Sequence, residues 1–134
     1  YFIQRMGKFI NSHDKQFIGW DEILEGGLAE GAIVQSWRGI EGGIRAARMN
    51  HNVIMSPNSH LYFNAEVANT SLKDVYMYNP LPKQLKSRYH KYVLGGETCM
   101  WTEHAPQEKI DSYMFPRLLA FRENIENNPD HKNY

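Results

Sequence analysis

Four short apolar runs, each closing on polar or aromatic residues, constrain the fold of this chain more than any other feature. They are QFIGWDE (16–22), AIVQSW (32–37), NVIMSP (52–57) and KYVLGGETCMW (91–101). Runs of this length rich in Ile, Val, Phe and Trp read as strands, and helical patterns between them argue for a parallel sheet with helices packed outside it. One such pattern opens the chain, where Phe2, Ile3, Met6, Phe9 and Ile10 share a helical spacing with Arg5 and Lys8 between them. A second is IEGGIRAARMN, with Ile40, Ile44, Ala47 and Met49 on one face and arginines on the other. The third, SYMFPRLLAFRENIE (112–126), is expected to form one amphipathic helix with Pro116 in its first turn. Residues 58–90 show no long helical pattern, and Asn79, Pro80 and Pro82 mark a turn within them. A connection of that length usually carries function or covers an edge.

Composition excludes several classes of function. Lys plus Arg (15) equals Asp plus Glu (15), so no net charge draws the chain to nucleic acid or to an anionic membrane. No apolar run approaches a membrane-spanning length, and nothing reads as a signal peptide. The single Cys99 rules out an internal disulfide framework. The six histidines form no pair at helical ligand spacing and no Cys/His cluster, so neither a metal nor a cofactor is expected. The Gly-Gly pairs beginning at 26, 42 and 95 lack the Lys-Ser/Thr of a phosphate loop and read as close-packing positions. Asn69-Thr70-Ser71 matches a glycosylation acceptor. A helix that opens at residue 1 without a capping residue points to an upstream sequence, and NNPDHKNY (127–134) reads as a polar tail or linker, which leaves a domain over residues 1–126.

In a parallel α/β fold, ligands belong at the carboxyl ends of the strands. Those ends here read Trp20-Asp21-Glu22, Trp37-Arg38, Ser56 onward and Trp101-Thr102-Glu103, so all three tryptophans fall on one rim. An indole face can cover the apolar C–H face of a pyranose while carboxylates and amides take the hydroxyls. That points to a carbohydrate site with Trp20, Trp37 and Trp101 as walls, Tyr62 as a hydroxyl donor, and Asn64 and Glu103 as hydroxyl ligands. The bland alternative, in which each aromatic is an ordinary core residue, stays open. Asp21 and Glu22 invite an acid/base reading, but neighbours on a strand point to opposite faces, so at most one would meet a substrate. Glu97 reads as structural, deeper in the fourth strand.

GWDEI (19–23), QSWRG (35–39), VIMSPNSHLYFN (53–64), YNPLP (78–82) and GGETCMWTE (95–103) resemble, in order and spacing, the second half of the catalytic barrel of family 20 glycoside hydrolases, the β-N-acetylhexosaminidases. The resemblance runs over roughly residues 1–125, and FPRLLAFRE looks like the last barrel helix of that family. It implies half of a (β/α)8 TIM barrel: strands 5 to 8, the helix before strand 5 and the final helix. It also implies a retaining exo-hydrolase of terminal β-linked N-acetylglucosamine or N-acetylgalactosamine, in a parent that is periplasmic, secreted or lysosomal. In that family the 2-acetamido oxygen of the substrate attacks the anomeric carbon, one of the exceptions to the two-carboxylate scheme.

The resemblance further implies that Trp20, Trp37 and Trp101 line the N-acetyl sugar pocket, that Tyr62 donates to the acetamido oxygen, and that Glu103 binds hydroxyls at the closed end. Asn64 stands where the family usually has Asp, keeping a carbonyl acceptor without the charge. The family's catalytic Asp-Glu pair follows a His-x-Gly-Gly motif, which these residues do not contain. Asp21-Glu22 matches the fifth-strand motif instead, so the catalytic role is not transferred to it. The chain alone is therefore expected to be inactive, and four strands with bare edges are expected to pair with the missing half of the barrel or with a second copy. The competing reading is a non-catalytic carbohydrate-binding or interaction module built on a half-barrel.

Overall fold

The computed structural model describes residues 1–64 and 70–127. Asn69 of the glycosylation triplet and residues 128–134 of the expected tail lie outside them. The chain divides into two compact units, one of residues 1–55 with 81–95 and the other of residues 56–80 with 96 onward.

The first unit holds the sheet. Strands β1 (Ile18–Trp20), β2 (Ile33–Ser36), β3 (Val53–Met55) and β4 (Val93–Gly96) lie in the order β1-β2-β3-β4. β1 pairs with β2 in parallel, setting Trp20 opposite Gln35, and β2 pairs with β3 in parallel, setting Ser36 opposite Met55. The parallel α/β arrangement expected from the alternating runs is present, but each strand is shorter than its run. Asp21–Leu24 and Ser87–Tyr92 are 3-10 turns, so the first run stops being a strand at Trp20 and the fourth becomes one only at Val93. β4 also ends at Gly96, five residues before Trp101.

All four residues of β2 are buried, as a strand flanked on both sides requires. Helix α1 (Phe2–Asn11) buries Gly7, where an added Cβ would stand 2.4 Å from the Ala29 Cβ. Phe2 and Phe9, expected on its apolar face, are exposed. Helix α2 (Glu41–Arg48) packs on β2 and β3 through Gly43, Ile44, Ala46 and Ala47, while Met49 lies past its end and is exposed.

Gly42 and Gly43 are the contact points of α2. A Cβ on Gly42 would meet the Asp21 Cβ at 2.8 Å, and one on Gly43 would meet the Met55 Sδ at 2.5 Å and the Val53 Cγ1 at 3.0 Å. The close-packing reading holds for this pair and fails for Gly26, Gly27 and Gly95. A Cβ on Gly26 or Gly95 would meet nothing within 4 Å, whereas Gly27 and Gly95 adopt φ of +82° and +143°, which only glycine reaches without strain. Gly43→Ala is expected to lower stability by about 1–3 kcal/mol through overpacking. A urea midpoint equal to that of the wild type would show that α2 shifts without penalty.

The second unit is mainly helical: α3 (Asn58–Leu61), α4 (Leu72–Met77), α5 (Ile110–Met114) and α6 (Arg117–Glu126). A reciprocal capping box starts α4, with the Asp74 N–H donating to Ser71 Oγ at 3.2 Å and the Ser71 N–H donating to Asp74 Oδ2 at 3.0 Å. The Ser71 hydroxyl, which donates to Asp74 Oδ2 at 2.6 Å, and the Ser71 N–H hold the Asp74 carboxyl below its ordinary pKa. The single helix expected over 112–126 is two. Pro116 has no N–H to continue α5 and disfavours helical geometry at Phe115, which is extended, so α6 starts afresh at Arg117.

The buried face of α6 is not the expected apolar one. It consists of Arg117, Phe121 and Asn124, while Leu119 and Ile125 are exposed. α6 packs against α4, where Asn124 Nδ2 donates to the Val75 carbonyl at 2.9 Å and to that of Tyr78.

Candidate functional site

In the first unit, Trp20 ends β1 and Trp37 directly follows β2, so both half-buried indoles stand at the carboxyl ends of adjacent parallel strands. The two carboxylates after Trp20 hold the segment that carries Trp37. Asp21, 2% exposed, accepts from the Trp37 N–H at 3.0 Å and the Arg38 N–H at 3.2 Å through Oδ2, and from Arg38 Nε at 2.5 Å through Oδ1. Glu22 accepts the Trp37 indole N–H on both oxygens, at 3.0 and 3.1 Å. Arg38 also donates to Glu25 at 3.0 Å, and the bonds to Glu25 and Asp21 raise its pKa further.

Strand alternation does not separate Asp21 from Glu22, because both lie in the 3-10 turn rather than in the strand. Both face the end of β2. Asp21 is saturated with donors, the position of a structural carboxylate. The sequence carried a signal for its partner in the Arg of QSWRG, but nothing local joins it to a carboxylate seventeen residues away.

The second unit gathers a different set. Tyr62 pairs with Cys99 in an isolated parallel bridge, in which the Phe63 N–H donates to the Cys99 carbonyl and the Cys99 N–H to that of Leu61, each at 2.8 Å. This pairing sets the Tyr62 ring 6.3 Å from that of Trp101, tilted by 44°. Phe63 is buried, whereas Tyr62 is half-buried. Trp101 is 39% exposed and Glu103 exposed, in a turn beyond β4 rather than in the strand. Glu97, expected deeper in the strand, is exposed just past its end.

Asn64 Oδ1 is buried with no hydrogen-bond partner among the described residues. An acceptor in that condition is unfavourable unless a donor arrives. Cys99 is a free, buried thiol that hydrogen-bonds Tyr62, and burial, aided by the Glu97 charge, pushes its pKa up to about 11. It therefore keeps its proton at neutral pH. No group of three or more His, Cys, Asp or Glu among the described residues could hold a metal ion, and no helix among them is long and apolar enough to cross a membrane.

The sequence matches the family described as glycosyl hydrolase family 20, catalytic domain, over residues 1–127. It is 47% identical to a beta-hexosaminidase of Porphyromonas gingivalis over 92% of this chain and 18% of that protein. The fold superposes on a chitobiase of Flavobacterium johnsoniae with a TM-score of 0.80 and 31% identity, over 99% of this chain and 21% of that one. It also superposes on an exo beta-N-acetylglucosaminidase of Vibrio harveyi in complex with N-acetylglucosamine, with a TM-score of 0.83 and 22% identity, over 99% of this chain and 23% of that one. The chain thus spans about a fifth of the length of these relatives.

Proposed function

Because the chain belongs to glycosyl hydrolase family 20, we propose that it supplies strands 5 to 8 of a catalytic barrel that removes terminal β-linked N-acetylglucosamine or N-acetylgalactosamine from glycans. The observation that carries this reading is the set Tyr62, Trp101 and Asn64: an aromatic pair 6.3 Å apart and, two residues after Tyr62, a buried acceptor with no hydrogen-bond partner among the described residues. A sugar supplies what is absent there, an apolar ring face and a hydroxyl.

In this reading the Tyr62 phenol donates to the acetamido oxygen, aligning it with the anomeric carbon and stabilising the charge that develops as the oxazolinium ring closes. Trp101 packs beside the acetamido group, Asn64 Oδ1 accepts a hydroxyl, and Glu103 binds hydroxyls of the terminal sugar. Within the first unit, Trp20 and Trp37 serve as sugar walls, the latter with its ring orientation held by Glu22.

Cleavage breaks the bond from C1 to the leaving oxygen as the acetamido oxygen bonds to C1. The leaving oxygen takes a proton from a carboxylic acid, and that carboxylate later deprotonates the water that opens the ring. Neither Asp21 nor Glu22 suits this role, since Asp21 is spent on Trp37 and Arg38 and Glu22 on the Trp37 indole.

The test is hydrolysis of 4-nitrophenyl N-acetyl-β-D-glucosaminide, assayed with the polypeptide as its gene encodes it and with residues 1–134 alone. Turnover is expected from the first and none from the second. Turnover by residues 1–134 that disappears in Glu22→Gln would refute the roles assigned here to Asp21 and Glu22.

A further inference from the structure

Arg117 is the largest side chain that is almost wholly buried, at 1% exposure, and it has no carboxylate partner among the described residues. Such a residue needs a reason to be kept, since an apolar side chain fills the same volume without a charge to desolvate. Burial accordingly pulls the guanidinium below its ordinary pKa. Among the described residues its hydrogen bonds go to backbone carbonyls. Nε donates to Tyr113 O at 2.8 Å, Nη2 to Phe63 O at 2.8 Å and again to Tyr113 O, and Nη1 to Thr70 O at 3.2 Å. The guanidinium carbon also lies 4.6 Å from the centroid of the Phe63 ring.

Two of these contacts converge on Phe63, between the residues proposed as sugar ligands. Phe63 sits between Tyr62 and Asn64, and it is held at three places: its carbonyl and its ring by Arg117, and its N–H by the Cys99 carbonyl. A single planar fork therefore joins the carbonyls of Phe63 and Thr70 to that of Tyr113 in α5. A lysine ammonium, a point charge on a flexible stem, cannot reach three carbonyls in this geometry.

We infer that Arg117 is a positioning residue, which fixes the Tyr62-Phe63-Asn64 turn so that the Tyr62 hydroxyl and the Asn64 carbonyl meet the sugar. The inference rests on the reading of the site given above. It assigns to the first residue of the last helix a role in the reaction, exercised through Phe63 and without contact to substrate.

The experiment uses the polypeptide as its gene encodes it, with Arg117→Lys and Arg117→Met, each also combined with Tyr62→Phe, on 4-nitrophenyl N-acetyl-β-D-glucosaminide. Arg117→Lys is expected to lower kcat by about 10- to 100-fold with a much smaller change in KM, the scale of a small misplacement of a catalytic group. In the Tyr62→Phe background the same substitution should lower kcat by only about 2-fold, because the group that it aligns is gone. Hydrogen exchange gives a second reading at low temperature if Arg117→Met does not fold. The Phe63 amide should exchange at least about 10-fold faster in Arg117→Lys while the Ile44 amide is unchanged.

An unchanged kcat in Arg117→Lys, an equal loss in both backgrounds, or an unchanged Phe63 amide would overturn the inference while leaving the function standing. A wild-type protein without turnover would overturn both.

Discussion

Asp21→Ala is expected to remove about 3 kcal/mol of stability, the low end of the range for breaking a buried ion pair. The carboxylate is 2% exposed and accepts from two backbone N–H groups and a guanidinium. Alanine leaves the Trp37 and Arg38 N–H groups without an acceptor, each a penalty of about 1–3 kcal/mol when water cannot replace it. The Arg38 side chain is 44% exposed, so its released charge is rehydrated, and this keeps the loss from the top of the range. Asp21→Asn retains an acceptor and the volume beneath Gly42, and a smaller loss of about 1–2 kcal/mol is expected. Glu22→Gln retains an acceptor for the Trp37 indole on a solvated carboxamide and should stay within about 0.5 kcal/mol of wild type. Urea denaturation of the three variants checks the ranking. If Glu22→Gln costs as much as Asp21→Ala, the division of labour between these carboxylates is wrong.

Tyr62→Phe is expected to lower kcat on N-acetyl-β-glucosaminides by about 10²- to 10³-fold, the usual penalty for losing one donor aimed at developing charge. The substitution keeps the ring and its tilt against Trp101, and it keeps the backbone bridge to Cys99, because both depend on atoms that phenylalanine shares. KM should change far less than kcat, since ring stacking acts equally on the bound substrate and on the transition state. Steady-state kinetics separate the two. A rise in KM with kcat intact would make Tyr62 a wall of the site and nothing more, and the acetamido contact would have to be sought elsewhere.

The parallel sheet was legible because strand periodicity and chain punctuation are local properties. Four runs of β-branched and aromatic residues, with helical patterns before the first, after the second and after the fourth, admit few other folds, and β1 to β3 pair in parallel. The site motifs were legible in the same way, as residue types in order. Their geometry was not. The alternation rule for Asp21 and Glu22 lapsed because the strand ends at Trp20, and the decision to end it lies in how the next turn packs under α2. Trp101 and Glu103 read as a strand end and are a turn, since β4 stops at Gly96.

The amino-acid sequence by itself determined the α/β class and the family, because each follows from neighbours close along the chain. Tertiary structure alone decided which polar groups are buried and what they hold. Arg117 and Asn124 sit among leucines and isoleucines that any pattern would bury first, yet they are the ones inside. The reason is that a buried polar group is stable only where acceptors surround it. Most of the carbonyls that do so, those of Phe63, Thr70, Val75 and Tyr78, lie 46 to 54 residues away along the chain.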